Sequence, residues 1–107
     1  MIRGTTPTIT CTFPYAVSSL SAIRIYFIQG NETLLTKKET DCTFNGYNAS
    51  VTLTEEETFL FTAKKRLEIK VRYLKTDGNV CGTRSKFVDV YDTGDEAILI
   101  SEDDNNE

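Results

Sequence analysis

Within residues 65–75 the chain alternates cleanly from Leu67 to Tyr73: Leu67, Ile69, Val71 and Tyr73 are apolar, and Glu68, Lys70 and Arg72 between them are charged. A period of two places the first set on one face of a strand and the second on the other, whereas a helix would scatter both around its circumference. The spacing therefore predicts a strand with one buried face. The same arithmetic recurs along the chain. Residues 6–13 put Ile9, Cys11 and Phe13 on one face and Thr8, Thr10 and Thr12 on the other, and Pro14 ends the run. Residues 22–29 send Ile23, Ile25 and Phe27 inward and Arg24, Tyr26 and Ile28 outward. Two of those outward residues are apolar, so this strand is expected to be central or partly covered on both faces.

Turn chemistry separates these runs. Gly30, Asn31 and Glu32 predict a hairpin into residues 33–39, where Lys37 and Lys38 suit an exposed edge. Residues 41–44 and 47–53 read as two short strands around Asn45-Gly46, and Thr76, Asp77, Gly78 and Asn79 close a hairpin before residues 80–91. In that last strand the apolar parity changes between Phe87 and Val88, which predicts a bulge near residues 86–88 or a crossing to another sheet. After Leu53 the alternation breaks at Thr54-Glu55-Glu56-Glu57. Thr54 followed three residues later by Glu57 has the capping-box spacing, so one helical turn is expected to carry the fifth strand to the sixth, with Phe59 or Phe61 plugging one end of the core.

Seven short strands with regular turn signals and no amphipathic helix predict an all-β, two-layer antiparallel sandwich of the immunoglobulin or fibronectin type III kind. The chain has no Trp and no cysteine pair at immunoglobulin spacing, so that likeness is architectural. A length of 107 residues suits one domain able to bury a core without disulfide staples. Charge divides the chain. Six of its sixteen acids and none of its twelve bases lie in residues 95–107, leaving about +2 on residues 1–94 and −6 on the rest. Residues 1–94 are read as the sandwich and 95–107 as an acidic tail, disordered after Ser101. Ala97, Ile98, Leu99 and Ile100 interrupt the tail with an apolar run fitted to cover its own domain or to add a strand to a neighbour.

Reacting groups are not gathered anywhere in this pattern. There is no His, the commonest general base. Glu55, Glu56 and Glu57 resemble a carboxylate cluster, but consecutive helical positions diverge by about 100° and cannot converge on one ion. Asp77-Gly78-Asn79 lacks the other ligands of a calcium loop. Cys11, Cys42 and Cys81 form no CxxC pair. They read as reduced core residues of a cytosolically made protein; the rival reading is one disulfide and a spare thiol in a secreted protein, consistent with the acceptor sequons at Asn31 and Asn48. The first residues lack the apolar run of a secretory signal, and no stretch suits a membrane span. The expectation is a non-enzyme without cofactor, metal, membrane contact or small-molecule substrate.

Basic residues gather late, at Lys64, Lys65, Arg66, Lys70, Arg72, Lys75, Arg84 and Lys86. Lys70 and Arg72, if joined by Arg84 or Lys86 across the hairpin, would make a basic patch beside Tyr26 or Tyr91, open to the acidic tail or to nucleic acid. The negative net charge and the lack of a recognition motif favour a solvated face. The candidate interaction surface is thus Lys70, Arg72, Arg84 and Lys86, with Ile98, Leu99 and Ile100 of the tail and the edge at residues 33–39.

The chain resembles a family of small proteins encoded in prophages of gut Firmicutes. The likeness lies in Ile2-Arg3-Gly4-Thr5-Thr6-Pro7-Thr8, in Leu53-Thr54-Glu55-Glu56-Glu57-Thr58 followed by Phe61, and in a strand with the turn Thr76-Asp77-Gly78 after it, and it spans residues 2 to about 91. The resemblance implies a phage structural protein of tail, baseplate or capsid, made in the host cytoplasm and carried in the virion, with partners among its own copies or other phage proteins. The alternative is a cytoplasmic binding or regulatory protein touching nucleic acid through the late hairpin. Fold likeness alone identifies no site.

Overall fold

Residues 1–83 and 85–94 are described in the computed structural model. Among these described residues eight strands form two antiparallel sheets: β1 (Thr8–Thr12), β2 (Leu20–Gln29), β3 (Glu32–Lys38), β4 (Thr43–Asn45), β5 (Asn48–Thr52), β6 (Leu67–Lys75), β7 (Val80–Gly82) and β8 (Lys86–Val88). One sheet has the order β1-β5-β4. The other runs β3-β2-β6-β7, with β8 also paired to β6. The predicted two-layer antiparallel β-sandwich is therefore the architecture found.

The alternation read from the sequence sets the core. Ile23, Ile25 and Phe27 of β2 and Leu67, Ile69, Val71 and Tyr73 of β6 are buried, facing Ala49, Val51 and Leu53 from the β5 side. Two aromatic pairs add to the packing. Phe27 and Phe61 stack with centroids 5.8 Å apart, and Phe13 meets Tyr73 edge-on at 5.0 Å. Of the two expected plugs, Phe61 is the buried one; Phe59 is half-buried under the Arg3 guanidinium.

The last predicted strand is two strands. β7 and β8 pair with β6 in registers that differ by one residue, so the extra residue falls in positions 83–85, just before the predicted 86–88. Thr83 bridges the gap: its N–H donates to Val71 O, and its Oγ1 accepts from Val71 N–H. Cys81 lies opposite Tyr73 and Lys86 opposite Ile69, so both register positions belong to the inward face. The two-residue loop of the β4–β5 hairpin is Gly46-Tyr47, one position later than expected, with Gly46 at φ +61° as a type II′ turn requires.

The helical turn α1 (Glu55–Thr58) forms as its capping box predicts. Thr54 Oγ1 accepts from Glu57 N–H, and Glu57 Oε1 accepts from Thr54 N–H. The second Glu57 oxygen meets Lys37 Nζ at 2.5 Å, tying β3 to the cap. Burial raises the Glu57 pKa, but Lys37 and the Thr54 N–H outweigh it and hold the carboxyl below its ordinary value of 4.5. A lowered folded pKa stabilises the protein fully above the ordinary value and loses that contribution as pH falls through the folded one. Glu57→Gln keeps the cap but removes the charge. It should cost about 1 kcal/mol at pH 7 and flatten the loss of stability below about pH 4.5, checked by urea midpoints at pH 7 and pH 3.

Candidate functional site

The outer face of the five-stranded sheet is set by the same alternation that fills the core. Register places Arg24 between Lys38 of β3 and Arg72 of β6, and Tyr26 between Thr36 and Lys70. Three cations thus lie in one row across three strands. Like charges directly opposite destabilise a sheet, so such a row acts against folding unless something offsets it. Glu39 offsets part: its Oε2 lies 2.6 Å from Arg24 Nη1, which also donates to Ile23 O at 2.9 Å. The Glu39 backbone N–H foremost, with Ile23 N–H and Arg24, keeps that carboxyl below its ordinary pKa despite some desolvation. Arg72 has no acidic partner among the described residues and is exposed. Among the described residues Lys70 reaches only Glu68, at 3.8 Å. Between the two arginines lies a shallow cleft of ≈ 310 Å³, bordered by Ala22, Tyr26, Leu74 and Val80.

This geometry divides the predicted patch. Lys70 and Arg72 are together, beside Tyr26 as expected. Lys86 shares the face of Ile69 and lines a separate groove of ≈ 450 Å³ between β1 and β6/β8. Tyr91 belongs to neither; it borders a depression of ≈ 190 Å³ with Lys64, Lys65 and Arg66. Arg66 lies over the Phe87 ring at 4.3 Å. Arg84, Ile98, Leu99 and Ile100 lie outside the described residues, as does the acidic tail. What sequence reasoning missed is the contribution of Arg24 and Lys38. Both were legible as outward or edge residues, but the pairing of β2 with β6 joins segments some forty residues apart, and no local pattern announces it.

The remaining candidates are occupied in folding. Glu55 is buried, Glu56 exposed and Glu57 paired to Lys37, so the three carboxylates diverge. Asp77 Oδ1 accepts from Asn79 N–H inside the hairpin turn, and Lys75 lies 3.4 Å from its other oxygen. No group of three metal-ligating side chains gathers among the described residues. The three cysteines are free thiols and half-buried, rather than the core residues expected. Burial pushes the Cys11 thiol up against the opposing pull of Lys86, and burial likewise raises Cys42, leaving both as poor nucleophiles. Among the described residues no helix is long and apolar enough to cross a membrane. No family model matches the chain, and neither a curated protein nor a solved structure does.

Proposed function

We propose that this chain is a non-catalytic interaction module of a phage particle, used in repeated copies and docking through the outer face of its five-stranded sheet. The phage context comes from the prophage resemblance in residues 2–8 and 53–61. The surface comes from one observation, the row Lys38, Arg24 and Arg72, which keeps an unneutralised guanidinium exposed beside a cleft. A row of cations tolerated at a cost to the fold fits an acidic partner surface, on another copy or on a neighbouring phage protein. The predicted edge at residues 33–39 fits this role less well, because Lys37 turns inward to Glu57 and blunts it.

Sedimentation of the full chain at low and moderate salt tests the reading. The wild type should associate beyond its 12.1 kDa monomer at low salt, and Lys70→Glu with Arg72→Glu should reduce that association at least about tenfold. A wild type that stays monomeric at high concentration and low salt sinks the self-association. The position of Tyr26 beside Lys70 favours a second reading, contact with single-stranded nucleic acid through stacking and phosphate pairing. Under that reading the wild type binds an oligonucleotide with strong salt dependence, and Arg72→Glu lowers the log–log salt slope by about 0.7.

A further inference from the structure

An open sheet edge is a template for another strand, and three of the edges here carry features that discourage pairing. β3 turns Lys37 inward to Glu57. β4 is three residues long. The β7/β8 edge is interrupted at positions 83–85. β1 carries none of these: its five residues are uncharged, its register with β5 is unbroken, and among the described residues no strand pairs with its other side.

The free groups of that side can be named. Leu53 N–H donates to Pro7 O and Phe13 N–H to Tyr47 O, so in this antiparallel pair the odd residues, Ile9 and Cys11 included, exchange hydrogen bonds with β5. The N–H and C=O of Thr8, Thr10 and Thr12 therefore point away from β5. Beneath them the two sheets are unequal in width. Phe13 meets Tyr73 edge-on at 5.0 Å, and Ile9 and Cys11 share the ≈ 450 Å³ groove with Ile69 and Val71, so β1 lies over β6. β7 and β8 pair with β6 on the side away from β2, and no described strand lies over them. The groove is thus a slot one strand wide, about 4.8 Å, walled by the β1 edge and floored by Thr83, Lys86 and Val88.

The slot defines its occupant. An extended backbone offers donors and acceptors at the spacing of Thr8, Thr10 and Thr12. Every second side chain of that backbone points down, beside half-buried Ile9, Cys11 and Val88, where apolar residues are favoured. Lys86 adds a charge to the floor. It is exposed, and among the described residues no carboxylate lies within ion-pair distance of it, so a carboxylate in the occupant complements it. β1 of a second copy does not fit. Paired antiparallel, the two larger sheets lie on the same side and their projecting strands collide; paired parallel, the copy turns its threonine face onto the apolar floor. We infer that the β1 edge takes a single extended segment of a partner protein, with apolar residues at alternate positions and a carboxylate among them opposite Lys86. This edge belongs to the smaller sheet and is separate from the row Lys38, Arg24 and Arg72 on the larger one.

A capped seven-residue peptide, Thr-Val-Thr-Glu-Thr-Val-Thr, carries its valines and glutamate on one face and is the probe for the full chain. Its binding should slow exchange of the Thr8, Thr10 and Thr12 amides at least about tenfold and leave the amides of Ile9 and Cys11, already bonded to β5, unchanged. Replacing the peptide's glutamate by lysine should weaken binding at least about tenfold, and Lys86→Glu should reverse that preference. No binding at about 1 mM peptide, or binding that leaves the three threonine amides unprotected, overturns the inference. Protection of all three in the chain alone also overturns it, because the slot is then already filled. Equal affinity of the wild type for the two peptides overturns the carboxylate opposite Lys86.

Discussion

Phe61→Ala should destabilise the protein by about 3–5 kcal/mol, a large part of the 5–15 kcal/mol typical of a domain. The ring is 1% exposed and stacks on Phe27, itself fully buried. It arrives from the loop after α1 rather than from a strand, so neither sheet can close over the space it leaves. The cost is therefore the lost transfer energy plus a cavity that does not collapse. Urea denaturation with an unchanged m-value checks it. Phe87→Ala is the control: its ring is 51% exposed, and removing it should cost no more than about 1 kcal/mol. Equal losses for the two would show that Phe61 is no plug.

Gln29→Leu should cost about 3 kcal/mol although it swaps a polar side chain for an apolar one of similar size in a buried position. Gln29 is 4% exposed. Its Nε2 donates to Thr62 O and Lys65 O, both at 3.0 Å, and its Oε1 accepts from Thr62 N–H at 2.7 Å. The side chain thus supplies the end of β2 with the hydrogen bonds of the loop that leads from α1 to β6. Leucine strands all three backbone groups, and each unsatisfied group costs about 1–3 kcal/mol before the loop relaxes. Gln29→Glu tests the donor side alone, since an ionised carboxylate still accepts from Thr62 N–H but leaves both carbonyls unpaired. A urea midpoint for Gln29→Leu within error of wild type would mean that the loop finds other partners. Faster exchange at the Thr62 amide would locate the damage.

The faces of β2 and β6 were legible because a period of two survives any tertiary context that buries one side. The capping box at Thr54 and Glu57 was legible because its partners are three residues apart. Gln29 was not, since it stands at the end of an apolar strand where polar residues usually mark the exit to solvent, and only the return of residues 62–65 encloses it. Lys86 misled for a related reason. One extra residue in positions 83–85 reverses the parity of everything after it, and that bulge separates Lys86 from Lys70 and Arg72 by the thickness of a sheet. The parity change was visible; its exact residue, and hence the face, depended on the hydrogen bonds of Thr83.

The separation between β1 and β5 also has a kinetic meaning. The β2–β3 turn closes over two residues, while Thr8 must find Thr52 across the whole intervening chain. Closing that span has an entropic cost that the short hairpin does not bear, so the five-stranded sheet should nucleate first and β1 should dock late. Substitutions in β1 such as Ile9→Val should then accelerate unfolding and leave the folding rate nearly untouched. Until it docks, a newly made chain leaves part of the inner face of its larger sheet uncovered, Ile69 and Val71 beside β1 included.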